Sequence, residues 1–331
     1  MLYLTTRDKF DTYTVYRTLH EDTAPNGGLF FPFRLPAVSL ETLKGKTFCE
    51  CVADVLNLFF SAGLTGKEVE FSVGRYPIRF QSAHQKIFVA QLWRNLDGSY
   101  AMMEHRLAAR ICNRQEKNVF ISSWVAIGIR IAVLCGVFAQ MQEDTVSNGV
   151  DVAVPAGDFR LMMAVWYARK MGLPIGNIVC ACDHDSVVWD FLRLGELRTV
   201  NKDAANVELE RLICGALGVS EVMRYCDACR CGSVFTLDSN SKKVLSEGVF
   251  AAVVSEDRLS SVISNVYRTS SCVLDPVTAA AYGGLMDFRA RSGESRTALL
   301  LADQSPADYE AAVCDAMNIS AGELKKLLSH S

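Results

Sequence analysis

Three groups of residues in this chain have types and spacings that could do chemistry. The first is Val152-Ala153-Val154-Pro155-Ala156-Gly157-Asp158-Phe159-Arg160-Leu161, where an apolar strand gives way through a glycine turn to a helix. Such a turn exposes backbone N–H groups at a helix N-terminus, the arrangement that holds phosphate. Asp158 works against that use, because a carboxylate at the cradle repels a dianion, and Arg160 adds a long side chain where the ligand would approach. Arg160 could bind a different anion, or it could pair with Asp158 and fill the site. We favour the pair, since a basic residue beside an acidic one is commonly no more than that. A surface turn with no ligand is the plain alternative.

The second group is Cys226-Asp227-Ala228-Cys229-Arg230-Cys231, whose C-x-x-C could bind zinc or exchange disulfides. A four-ligand zinc site needs a second pair, and the candidates, Cys180, Cys182 and His184, are distant in sequence. We read these cysteines as small core residues and expect no metal. The third is Glu104 beside His105, an acid next to a base, which reads as a solvated helix face rather than a catalytic dyad. His20, His84, His105, His184 and His330 show no metal-type spacing, and no Ser-His-Asp pattern is legible.

The elements that would position these groups follow from apolar periodicity. Met1 to Thr6 reads as a short strand. Thr47 to Ala62 places Phe48, Val52, Val55, Leu56 and Phe59 at helical spacing and is stopped by Gly63. Asn118 to Gln140 is nearly continuous in apolar residues, which predicts a helix buried on most sides. From Asp151 the pattern alternates: strand to Pro155, glycine turn, helix Leu161 to Met171, strand Ile178 to Cys182, helix Ser186 to Leu194. Short turns between strand and helix argue for parallel pairing with right-handed crossovers. Flexible stretches are expected at Gln142 to Asn148, Asp238 to Lys243 and after Ser320.

Composition narrows the class of function. A chain of 331 residues with 50% apolar content can bury a large core, and an α/β scaffold is the default. The net charge is -3 and the 34 basic residues are scattered, so a nucleic acid partner is not expected. Met1 to Asp8 lacks a basic segment followed by an apolar one, and no uninterrupted apolar run approaches the roughly 20 residues of a membrane span. A cytoplasmic protein with its 12 cysteines reduced is the expectation.

Several stretches, in order, resemble the threonine synthase family. Ala24-Pro25-Asn26-Gly27-Gly28-Leu29-Phe30-Phe31-Pro32 is similar to A-P-D-G-G-L-Y-V-P, and Leu43-Lys44-Gly45 introduces a helix in the matching place. Val152 to Arg160 resembles V-S-V-P-T-G-N-F-G, and Ala168-Arg169-Lys170-Met171-Gly172-Leu173-Pro174-Ile175 resembles A-K-K-M-G-L-P-I. Asp190 to Gly195, Val273 to Ala279 and Ala302 to Tyr309 keep the family's order. The resemblance implies an α/β fold: the large domain of a fold type II pyridoxal phosphate enzyme, tryptophan synthase beta-like, with a parallel-rich sheet flanked by helices. A threonine-synthase-type segment would precede it, giving residues 1–112 with the lysine motif and 113–331 as the large domain. Only Met102 to Asp151 separate the two landmarks between which the family carries its small cofactor domain, so that domain is expected to be largely deleted.

What the resemblance implies about chemistry is loss. Gln91-Leu92-Trp93-Arg94-Asn95-Leu96-Asp97-Gly98-Ser99-Tyr100-Ala101-Met102 aligns without gaps with E-L-F-H-G-P-T-G-A-F-K-D, and the family's lysine falls on Ala101. A methyl group cannot form the aldimine to pyridoxal phosphate. The phosphate loop is altered at Asp158 and Arg160, leaving Ala156, Gly157, Asp158, Phe159 and Arg160 as a vestige. The ring-nitrogen position is Asp303, followed by Ser305 and Asp308 where the family has histidine and lysine. The expectation is a shortened, degenerate homologue with no catalytic residue intact, the ancestral cofactor lost, and a non-catalytic binding, regulatory or assembly role. Met102 and Met103 would pack the vacated pocket, and apolar surface exposed by the deletion would favour a protein partner or self-association. The alternatives are a retained lyase acting on O-phosphohomoserine, with Lys86 or Lys117 as the nearest amines, and a new site in which Arg160 or Arg94 holds a small anion.

Overall fold

The computed structural model of the chain describes residues 1–74, 78–95, 99–141, 143–146, 148–155, 157, 159–182, 186–198 and 204–330. Of the residues singled out above, Leu96, Asp97, Gly98, Gln142, Ser147, Ala156, Asp158 and His184 lie outside them. The N-terminal third folds as β1 (Leu2–Thr5), β2 (Asp8–Thr14), α1 (Val15–His20), β3 (Phe30–Pro32), α2 (Leu40–Leu43), α3 (Phe48–Phe60), α4 (Gly66–Val73), β4 (Arg79–His84) and β5 (Ile87–Gln91). Then come α5 (Tyr100–Ile111), α6 (Ser123–Gln140), α7 (Glu143–Val146), β6 (Val150–Pro155), α8 (Phe159–Met171), β7 (Ile175–Cys182) and α9 (Val187–Leu194). The remainder is β8 (Glu196–Arg198), α10 (Ala204–Leu217), α11 (Val219–Cys231), β9 (Val234–Thr236), α12 (Ser239–Leu245), β10 (Val249–Val253), α13 (Glu256–Ser270), α14 (Pro276–Ser292), β11 (Thr297–Ala302), α15 (Glu310–Met317) and α16 (Ala321–His330).

The principal sheet has the order β10-β7-β6-β11-β5-β4. All its pairings are parallel except the β4–β5 hairpin. Its central strands are mostly apolar because both faces are covered, and the buried Asp151 of β6 accepts from the Asn177 amide and side chain of β7 at 2.8 and 3.0 Å. Val152, Val154 and Leu299 belong to the core that contains α3, α6 and α8, whereas Ala153, Ala298 and Leu300 face a second core with α13, α14 and α15. The expected alternation from Asp151 onward is present. The parallel strands end together at Gln91, Pro155, Cys182, Val253 and Ala302, the edge at which such sheets form their crevice.

Helix α6 is buried along most of its length, and its residues Trp124 to Phe138 are all buried. It starts at Ser123, later than the expected Asn118, because the Ser122 side chain accepts from the Val125 amide and fixes the N-terminus there. Two glycines let α3 lie close against it: a Cβ at Gly128 would meet the Phe60 ring at 2.7 Å, and one at Gly136 would strike Phe48. By length and composition α6 could cross a bilayer, but 83% of it is buried inside the fold. Among the described residues no strand lies between β5 and β6, only α5, α6, α7 and a 3-10 turn at Glu116–Asn118.

Two of the stretches expected to be flexible are helical. Residues 239–245 form α12, with Asp238 accepting from the Asn240 and Ser241 amides at 2.9 Å. The tail after Ser320 forms α16, opened by a reciprocal cap in which the Glu323 carboxylate accepts from the Ser320 amide and the Ser320 hydroxyl from the Glu323 amide. In the third stretch, residues 143–146 form α7.

Candidate functional site

At the crevice edge, β5 runs into a 3-10 turn at Leu92–Asn95 and β11 into a loop that reaches a second 3-10 turn at Pro306–Tyr309. The N-terminus of α5 points between them, with the Ser99 hydroxyl accepting from the Met102 amide at 3.3 Å. Together with the middle of α6 they enclose a cavity of about 460 Å³, a size suited to a small molecule. Trp93, Ser99, Tyr100, Ala101, Glu104, Arg130, Asp303, Gln304, Ser305 and Asp308 line it.

Ala101 lies on the first turn of α5, is exposed and lines the cavity. One turn further on, the helix brings Glu104 to the same wall. Glu104 is not on a solvated face, as expected above. Its side chain is 11% exposed and its Oε1 lies 2.7 Å from Nη1 of Arg130, itself 6% exposed. Arg130 is the one charged residue of α6, and an isolated guanidinium there would be prohibitively costly, so the two are held as a pair. His105 turns the other way, its Nε2 lying 2.6 Å from the Glu116 carbonyl oxygen. Neither methionine fills the cavity: Met103 is in the core at 2% exposure, and Met102 is 49% exposed.

Asp303 is on the lining. Ser305 and Asp308 have local work: the Ser305 hydroxyl accepts from the Ala307 amide and the Asp308 carboxylate from the Ser305 amide, each at 3.2 Å. The lining holds three carboxylates and one guanidinium. Beside it, burial and then the carboxylates of Asp275, Asp303 and Asp308 push the Tyr309 hydroxyl above its usual range.

Among the described residues, the other candidates do not line this cavity. Of the glycine turn, Gly157, Phe159 and Arg160 are described: Phe159 is buried, Arg160 is exposed on the first turn of α8, and a Cβ at Gly157 would meet nothing within 4 Å. Arg94 is built into the frame. Its Nε donates to Gln91 Oε1 at 2.9 Å, its Nη1 to the Leu328 carbonyl at 2.8 Å, and its guanidinium lies 4.8 Å from the Trp93 ring centre. Burial and then Arg79 lower its pKa. Lys86 occupies the β4–β5 turn with φ 58°, at the opposite end of β5 from the cavity. Lys117 is in the 3-10 turn at Glu116–Asn118. Cys226, Cys229 and Cys231 lie on α11, the first buried and the others exposed. Burial pushes the Cys226 thiol up to about 11, which disfavours the thiolate. Among the described residues no group of three or more His, Cys, Asp or Glu could hold a metal ion.

Sequence reasoning missed Arg130, Tyr100, Trp93 and Gln304. Arg130 carried a signal: a lone charge inside an otherwise apolar helix demands a partner.

Comparison with known proteins agrees with this geometry. Residues 2–75 match the family described as the threonine synthase N terminus. Threonine synthase-like 1 from Macaca fascicularis is 31% identical over 160 residues, and its Homo sapiens counterpart 28% over 161. Each match covers 42% of this chain and 21% of the relative. The chain thus spans about a fifth of the length of those relatives. Threonine synthase from Saccharomyces cerevisiae is 22% identical over 222 residues, 59% of this chain and 43% of the yeast protein. Among solved structures, PLP-bound threonine synthase from Brucella melitensis superposes with a TM-score of 0.82 at 16% identity, covering 100% of this chain and 95% of that one. The yeast enzyme gives 0.79 at 17% identity, covering 99% and 94%. These likenesses identify the fold: an α/β, fold type II arrangement with a mixed sheet flanked by helices.

Proposed function

Taking as premise that this chain is a homologue of the threonine synthases, we propose that it has left their pyridoxal phosphate chemistry and serves a non-catalytic binding, regulatory or assembly role. The observation that carries the reading is Ala101. It lies on the cavity wall at the position aligned with the family's lysine, and no described residue of that lining is a lysine. An internal aldimine needs a primary amine within reach of the cofactor, and neither Lys86 nor Lys117 lines the cavity. The charge balance points the same way. A phosphate dianion is held by N–H groups and cations, whereas Glu104, Asp303 and Asp308 face the cavity, and its guanidinium is already paired with Glu104. The residues present do not fit the cofactor.

A protein partner or a second copy of the chain, rather than nucleic acid or membrane, belongs to this proposal. Support comes from Phe10, Tyr16 and Phe33, which are 81, 69 and 61% exposed in the N-terminal part. So does a cytosolic setting, in which buried thiols such as Cys51 and Cys135 stay reduced.

The test is an absorption spectrum of the protein after incubation with pyridoxal phosphate, followed by borohydride reduction and peptide mass analysis. We expect no internal-aldimine band and no reduced lysine adduct. A stoichiometric adduct at one lysine would overturn the reading and return the chain to lyase chemistry of the threonine synthase kind, including its action on O-phosphohomoserine.

A further inference from the structure

We propose that this chain carries a second ligand site, specific for a small molecule bearing two or more phosphate charges, at the C-terminal end of α5. A cavity of about 530 Å³ opens there, walled on one side by Ala62 and Leu64 and on the other by Arg106, Arg110 and Arg114. Arg106 and Arg110 are one helical turn apart and share a face. Arg114 is brought alongside by the end of the helix. Asn113 takes a left-handed conformation, φ 48°, and the Arg114 amide turns back to donate to the Ala109 carbonyl at 2.9 Å.

Three guanidinium groups on one wall repel one another, and such an arrangement is retained most readily where an anion offsets it. Two carboxylates of the lining, Glu68 and Glu116, offset part of this charge and leave an excess of one cation. Among the described residues none of the three makes an ion pair. Glu68 lines the same cavity, but its Oε2 accepts from the Thr65 amide and hydroxyl at 2.8 and 2.7 Å, capping α4. Those bonds lower its pKa, and the charge of Arg110 lowers it further by a smaller amount. Glu116 is the other carboxylate of the lining. A cation near a helix C-terminus is ordinary, since it complements the exposed carbonyls. One arginine would suffice for that, and three converge on this cavity. Guanidinium forks match phosphate oxygens in pairs, which is the reason for assigning phosphate rather than a generic anion.

The site is separate from the crevice. Arg110 is nine residues beyond Ala101 on the same helix, about 13 Å at helical rise. The two cavities also carry opposite sign, with three carboxylates and one arginine at the N-terminal end of α5 and three arginines and two carboxylates at its C-terminal end.

The probe is inorganic pyrophosphate, titrated into the full chain by calorimetry and followed by the phosphorus resonance, with citrate as a carboxylate of comparable charge. Pyrophosphate is expected to bind, more weakly as salt is raised, and more tightly than citrate. Arg114→Gln, outside the helix, should weaken binding by roughly tenfold or more. The pair Arg106→Gln and Arg110→Gln should remove it, while Arg34→Gln should leave it unchanged. Circular dichroism of each variant checks that the fold is intact. Failure of the wild-type protein to bind pyrophosphate, equal binding by Arg114→Gln and wild type, or tighter binding of citrate would overturn the proposal. Since none of these measurements involves Ala101 or pyridoxal phosphate, they stand apart from the cofactor experiment.

Discussion

At the scale of single residues, the crevice is marked by Ala101, where the threonine synthase motif has lysine, and by Glu104 and Arg130, which hold each other. Ala101→Lys puts an amine back on the first turn of α5, where the side chain is exposed to the cavity. We expect this variant to give a borohydride-trappable pyridoxal phosphate adduct that the parent lacks. It should still form no threonine from O-phosphohomoserine, because Asp303, Ser305 and Asp308 are unchanged. Turnover by Ala101→Lys would show that the rest of the site survives and would sink the wider reading of degeneracy. Glu104 and Arg130 invite a different experiment. Arg130→Met leaves a carboxylate buried without its counter-charge, and urea unfolding should show a loss of about 3 kcal/mol. Adding Glu104→Gln should recover a good part of it, because the cost lies in the orphaned charge. The alignment could find Ala101 because it is a local pattern. It could not find the pair, whose members are joined only by the packing of α5 against α6.

At the scale of elements, helix ends carry the testable chemistry. Asp275 caps α14, accepting from the Val277 and Thr278 amides at 2.9 Å and from the Thr278 hydroxyl, yet it is only 1% exposed. Burial outweighs those hydrogen bonds and raises its pKa above the ordinary 3.8. A raised carboxylate pKa means that the folded chain holds the proton more tightly than the unfolded one. The group therefore contributes most below the unfolded pKa, and that contribution is lost as pH rises through the folded value. Asp275→Asn keeps the cap and removes the titration. Its stability relative to wild type should grow as pH rises from about 4, the region of the unfolded pKa, towards neutrality. Asp275→Ala should lose about 1 kcal/mol at every pH where the cap is made. The comparison must be made between variants, because Glu50 and Glu68 act in the opposite sense. Hydrogen bonds from Thr47 and Thr65 lower their pKa values, so their contribution fades as pH falls through the carboxylate range. Caps also explain which elements could be foreseen. The β6–α8–β7 run was legible from its glycine turns and apolar periodicity. The polar helices α12 and α16 were not, although Ser320 followed three residues later by Glu323 is a capping box visible in the sequence.

For the molecule as a whole, the N-terminal third is fastened to the large sheet by both apolar and polar contacts. One core runs continuously from Tyr3 through α3 and α6 to Leu299. Arg211, 1% exposed on α10, donates to the Phe30 carbonyl at 3.1 Å and the Ser123 hydroxyl at 2.6 Å and pairs with Glu208. On the same helix the Glu210 carboxylate accepts from Thr6 and from Arg7, the latter at 3.0 and 2.9 Å. The bonds to Phe30, Thr6 and Arg7 join residues that the sequence motifs assign to separate parts, 1–112 and 113–331, and no local pattern could have disclosed them. Thermal unfolding should accordingly be one transition, with calorimetric and van't Hoff enthalpies equal. Arg211→Met should lower stability by about 3 kcal/mol by leaving buried Glu208 without its counter-charge, with only the Ser123 hydroxyl still donating to it, and the Phe30 carbonyl without the Arg211 bond. The decisive feature is how it does so. If the two parts are one cooperative unit, the variant moves the whole transition to lower temperature with its shape preserved. A second, earlier transition in the variant would mean that the arginine fastens two parts able to unfold separately, and the single core would then be an insufficient account of the fold.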